Sequence, residues 1–234
     1  MDEQRQPRCF SRSVGTVAVL TVSVLAMLVV AASEAAAGPA RLDDHDRQVV
    51  NRLLPAMAAF GPFSGSTTIG SSAAAKKIAA CPATKKAGSN ARQGLLIFGT
   101  IVPVFLEDVP KLKPVAVTAN HALSSVPTAH NPTLTEWLAQ IKKVVAAEVT
   151  VGKHYDASKA DYCAYASDYL AKPRKANKYR LALDLGLDRV GWNAFTTLLI
   201  ASSALEGPGK RLAPVLRASG YSSKQIKQLL LGAP

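Results

Sequence analysis

The sequence predicts an all-α fold, a disulfide-stapled bundle of about six or seven helices after an N-terminal signal peptide. Three observations carry that reading. Apolar residues recur at helical spacing along most of the chain beyond residue 38, capping and stop residues punctuate those stretches, and two isolated cysteines lie far apart between them.

The first segment is a targeting signal rather than part of the fold. Arg5, Arg8 and Arg12 precede an uncharged apolar run from about Val14 to Ala32, the layout of an export signal. "SEAAAGPA" then offers Ala35 and Ala37 at the −3 and −1 positions of a peptidase site, which places cleavage after Ala37. The alternative is an uncleaved, single-pass anchor, since the run is long enough to span a bilayer. Residues 38–234 lie outside the cytoplasm either way, and membrane contact is confined to the N-terminal segment if it stays attached. Cys9 lies ahead of the apolar run and is no lipid anchor.

The remainder, 38–234, is expected to form one exported helical domain. "DDHDRQVVNRLLPAMAAFG" carries Val49, Val50, Leu53, Leu54, Met57 and Phe60 on one helix face, with Asp43 or Asp44 as cap and a kink or break at Pro55. A turn-rich connector, "GPFSGSTTIGSS", leads to a short alanine-rich helix that Pro82 ends, and "ATKKAGSNARQG" reads as an exposed loop. Gly94 to Leu106 is the most apolar stretch of this part, a buried central element whose β-branched residues suit a strand as well as a helix. Four prolines between Val109 and Pro132 predict a long Pro-rich loop, 109–132, as a lid or linker. "TLTEWLAQIKKVVAAEV" follows as an amphipathic helix with Thr133 and Glu136 as a capping box. Asp156 is expected to start the helix that contains "KADYCAYASDYLAK", and Pro173 to end it. A further helix closes at Gly207 and Pro208, and a last hairpin turns at Gly220 with Ser222 capping its second arm.

Cys81 and Cys163 are the only cysteines of the exported part, so export predicts one intramolecular disulfide. Closing a loop of that length stabilises the fold by about 4 kcal/mol on the chain-entropy model. No C-x-x-C redox or zinc arrangement is present.

Twenty-eight basic residues face 16 acidic ones, a net charge of +12 that removing residues 1–37 leaves unchanged. An exported chain of that charge meets anionic lipid or anionic wall polymer, and no nucleic acid. The densest cluster is "KPRKANKYR", with Lys172, Arg174, Lys175, Lys178 and Arg180 and no acid among them, the candidate anion-binding patch.

Catalytic signatures are missing. "GPFSG" is not a nucleophile elbow, and "LEGPGKR" has Ala204 and Arg211 where a phosphate loop needs glycine and Ser or Thr. His45, His121, His130 and His154 form no pair at helical spacing, and Asp43, Asp44 and Asp46 around His45 read as helix-capping charge rather than a metal site. Tyr162, Tyr165 and Tyr169 share a helix face, with Tyr155 one further step back if the helix reaches it. Buried rings with hydroxyls at a polar edge are the main reading; a groove for a hydrophobic ligand is the second. A tyrosinate haem ligand lacks any supporting histidine motif, so no cofactor and no metal are expected.

The functional expectation is an exported, non-enzymatic binding or interaction protein of the cell envelope with a basic surface for anionic partners. Two alternatives stand beside it. One is a carrier of a small hydrophobic ligand, and the other an enzyme with a dispersed site, for which Asp161 or Asp168 with a loop histidine are the groups to watch.

Overall fold

A computed structural model describes residues 40–60, 72–171 and 178–230, and the residues so described are helical apart from short turns. The signal segment and the "GPFSGSTTIGSS" connector up to Ser71 lie outside them.

Helix α1, Asp44–Phe60, starts where Asp43 Oδ1 accepts the Asp46 amide at 2.8 Å. It runs unbroken through Pro55, whose missing N–H spares only the carbonyl of solvent-exposed Asn51. Helix α2, Ala73–Ala80, is capped by Ser72. The stretch expected to be an exposed loop is instead two short helices, α3 (Pro82–Lys86) and α4 (Ser89–Gly94), with Pro82 opening α3 rather than only closing α2. One wide turn, Leu95–Gly99, passes into α5, Ile101–Ser124, so Gly94 to Leu106 is helical throughout.

Helix α5 corrects the predicted Pro-rich loop at 109–132. Val109, Leu112, Ala116, Ala119 and Leu123 are buried at three- and four-residue spacing, a stripe that only a helix can present to one neighbour. Pro110 and Pro114 lie on the opposite, exposed side, and the carbonyl that Pro114 leaves without a donor is that of exposed Pro110, where the loss costs least. The true connection is short, from Ser125 to Asn131. Helix α6, Pro132–His154, is capped by Asn131, whose side chain accepts from Thr133 and Leu134. That cap displaces the expected Thr133–Glu136 box by setting the helix start two residues earlier, at Asn131 instead of Thr133.

Asp156 caps a single tight turn, Ala157–Lys159, and Asp161 is the residue that caps α7, Tyr162–Ala171. Helix α8, Lys178–Asp184, leads to α9, Arg189–Ala218, which replaces two expected helices. Pro208 and Pro214 sit inside α9, and the carbonyls they leave without a donor belong to exposed Ala204 and Lys210. Gly220, at φ +92°, turns the chain into α10, Ser223–Leu229, behind a capping box of Ser222 and Gln225.

Two apolar cores result. The larger joins α1, the second half of α5, most of α6, α9 and α10 around Trp137, Leu53, Met57 and Ile141. The smaller joins α2, the Leu95–Gly99 turn, the start of α5, α7, α8 and the start of α9 around Leu106, Tyr165 and Phe195. Phe105 packs against both. Within the smaller core, Tyr155 and Leu187 pair in an antiparallel bridge, and Gly186 lies against the Asp156 carbonyl.

Candidate functional site

The tyrosine helix is built into the smaller core. Cys81 follows α2, Cys163 is the second residue of α7, and the two form a disulfide with Cα atoms 5.3 Å apart. Tyr165 is 4% exposed, and its hydroxyl donates to the Gly99 carbonyl at 2.6 Å. That carbonyl is one turn before Pro103, which has no N–H to offer it, so the phenol supplies the donor that the imino acid withholds. Burial pushes the Tyr165 hydroxyl well above its ordinary range, in keeping with a group that acts as a neutral donor.

Tyr169 lies on the other side of Gly99. A Cβ at Gly99 would stand 2.7 Å from Leu95 Cδ1 and 3.1 Å from the Tyr169 ring, so glycine allows this approach. Tyr162 is half-buried with Lys77 Nζ 5.0 Å above its ring. Tyr155 belongs to the end of α6 rather than to α7, yet it is hydrogen-bonded to Tyr162, and burial pushes its hydroxyl up to about 12. All four tyrosines predicted to share a face are thus brought to one corner, Tyr162, Tyr165 and Tyr169 on α7 and Tyr155 at the α6 terminus.

The basic cluster is only partly described. Lys172, Arg174 and Lys175 lie outside the described residues, and Lys178 and Arg180 form the first turn of α8. Lys178 and Arg189 lie over the Tyr179 ring at 5.6 and 5.2 Å. Arg180 is paired with Asp168, which also shares a hydrogen bond with Asp184. Burial, and then the neighbouring Asp168 charge, push the Asp184 carboxyl up to about 6.

Asp161 and Asp168, the carboxylates named for a dispersed active site, are therefore occupied as a cap and as an ion-pair partner. The loop histidine His130 is instead joined to Asp43, Nδ1 to Oδ2, at 2.8 Å and stacked on His45 at 4.2 Å between centroids. Buried Asp46 completes this group by accepting the backbone amides of His130 and Asn131 at 2.8 and 2.7 Å. The ligand atoms of Asp43, Asp46 and His130 lie within 4.8 Å of one another, close enough for a divalent cation. Their present bonds make them a clasp that holds the α5–α6 loop onto the start of α1. The hydrogen bond that His130 donates to Asp43 raises the pKa of His130, and the bond from the Asp46 amide, followed by that from His130, lowers that of Asp43. Sequence spacing gave no sign of the pairing, because 87 residues separate the partners.

One buried titratable group escaped the sequence reading. Glu148, in α6, is 3% exposed, and its Oε1 has no hydrogen-bond partner among the described residues. Burial pushes its carboxyl up to about 7. It continues the apolar stripe of Leu134, Leu138, Ile141 and Val145 at the same spacing, which is the signal that would have found it.

The chain matches no family model, no curated protein and no solved structure.

Proposed function

We propose that this chain is an exported, non-enzymatic binding protein of the cell envelope whose basic surface holds anionic material. Residues 1–37 are read as the export signal, cleaved after Ala37. The Cys81–Cys163 disulfide fits an extracytoplasmic location. Among the described residues, no helix is long and apolar enough to cross a membrane.

The carrying observation is how the two signs of charge are used. Carboxylates are turned to the backbone: Asp43, Asp46, Glu107, Asp156, Asp161 and Asp188 each accept main-chain amides at helix starts or turns. Lys85, Lys86, Arg92, Lys142 and Lys143 are exposed on helix surfaces. These six carboxylates lie against backbone amides, while these five cations face solvent. With a net charge of +12, the outward field attracts anions over about 8 Å, the screening length at physiological salt.

Co-sedimentation with anionic liposomes and with purified anionic wall polymer, at low and at physiological salt, tests the proposal. Binding to at least one, weakened by salt, is expected. Absence of salt-sensitive binding to both would sink it.

A further inference from the structure

The clasp that ties the α5–α6 loop to the start of α1 is also a set of metal donors. Carboxylates at a helix start need no ion to explain them, since capping accounts for them. Here an imidazole nitrogen from a distant element joins them. His130, 87 residues along from Asp43, places Nδ1 2.8 Å from Asp43 Oδ2, and the ligand atoms of Asp43, Asp46 and His130 lie within 4.8 Å of one another. In a tetrahedral shell with bonds of 2.0–2.2 Å, neighbouring ligand atoms stand about 3.4 Å apart. The shortest pair and the outer limit bracket that spacing, so small side-chain adjustments suffice.

The carboxylates are held by backbone bonds that an ion would leave intact. Asp46 is buried, and its two oxygens accept the His130 and Asn131 amides at 2.8 and 2.7 Å. Asp43 Oδ1 accepts the Asp46 amide at 2.8 Å. A carboxylate oxygen that accepts one such bond keeps a second lone pair to give. Only the hydrogen bond between His130 Nδ1 and Asp43 Oδ2 must open, and its proton lies where the ion would sit. Two carboxylates and a neutral imidazole then match the charge of a dication.

His45 supports the same assignment. Its ring stacks on that of His130, 4.2 Å between centroids and 12° between planes, which steadies the ligand ring. Nε2 of His45 lies 2.9 Å from the Thr128 carbonyl, which can only accept, so Nε2 carries the proton and neutral Nδ1 has a bare lone pair. An imidazole tied to a carbonyl in this way is the pattern that metal-binding histidines use. Donor type selects the ion: calcium and magnesium take oxygen ligands, whereas imidazole beside carboxylate suits zinc and its neighbours.

We propose that Asp43, Asp46 and His130 bind a divalent cation of the zinc class, with water completing the shell. His130 and Asp43 side chains are 63 and 51% exposed, so the ion enters from solvent. Once bound, it pins to α1 the loop whose Val126 and Ala129 are buried in the larger core.

The test uses the exported, disulfide-bonded protein, stripped with chelator and desalted, then titrated calorimetrically with zinc chloride and separately with calcium chloride. Saturable zinc binding, no calcium binding and a higher thermal unfolding midpoint in zinc are expected. His130→Ala leaves both amide bonds to Asp46, and Asp43→Asn keeps a capping oxygen, so both variants should fold and bind zinc about tenfold more weakly or worse. His154→Ala removes the other His–Asp pair, with Asp188 at 2.7 Å, and should bind zinc as the parent does. The site is overturned by absence of saturable zinc binding, by equal binding of calcium, by parental affinity in either His130→Ala or Asp43→Asn, or by loss of binding in His154→Ala.

Discussion

Replacing Glu148 by Gln should stabilise the protein in alkaline and neutral solution and leave it unchanged in acid. The carboxyl has a midpoint of about 7 in the fold, against an ordinary value of 4.5 in an open chain, and burial is the cause. Between those two pH values the folded state keeps a proton that the unfolded state has released. Stability therefore falls as pH rises through this window; the cost is absent below the unfolded midpoint and complete above the folded one. At about 1.4 kcal/mol per pH unit, the full cost is about 3 kcal/mol. Gln keeps the volume and the polarity of the protonated acid but cannot ionise. Urea unfolding of both proteins at intervals from about pH 4.5 to about pH 8 should give a difference in stability that starts near zero and grows to about 3 kcal/mol. Subtracting the two curves cancels other groups that titrate in the same range, Asp184 and His130 among them. A difference that stays constant across the range would show that Glu148 is solvated or paired in solution, and the argument from its burial would fail.

Two further outcomes test the smaller core. Tyr165→Phe leaves the Gly99 carbonyl buried without a donor and should cost about 1–3 kcal/mol in denaturant unfolding, a large effect for the loss of one oxygen. Gly186→Ala and Gly220→Ala form a matched pair, since both glycines have positive φ, +78° and +92°. At Gly220 nothing lies within 4 Å of an added Cβ, so the backbone penalty alone of about 1 kcal/mol is expected. At Gly186 the Cβ would meet the Asp156 carbonyl oxygen at 2.2 Å, and the loss should be about 3 kcal/mol or more. Equal losses in the pair would contradict the close approach of the two segments.

Where local chemistry decides structure, the sequence was readable. The stripe of α6, the Ser222 cap of α10, the turn at Gly220 and the pairing of Cys81 with Cys163 all stand as expected. Proline was the source of the main errors. It forbids one backbone bond, and at Pro114 and Pro214 the carbonyl left without a donor belongs to an exposed residue, Pro110 and Lys210, where water replaces it. The buried stripe from Val109 to Leu123 outweighs that loss, so periodicity was the better guide there. The tyrosine corner was half legible. Spacing put Tyr162, Tyr165 and Tyr169 on one face, but only the fold reveals that Pro103 leaves Gly99 needing a donor. The His130 clasp and the burial of Asp46 depend on segments more than 80 residues apart, which no local pattern can join.

The disulfide joins Cys81, in the smaller core, to exposed Cys163 on a helix packed against that core, and the larger core has no covalent tie among its described residues. Reduction would therefore act unevenly on the molecule. It would slacken α2, α7 and the wide turn, while α1, α6 and α9 keep their packing around Trp137. Exposed Ile97, Phe98 and Ile101 stand on the part that loosens, so their presentation depends on the thiol state of their surroundings. A chain still in a reducing compartment would carry those side chains on an unsecured platform, and oxidation would set them in place.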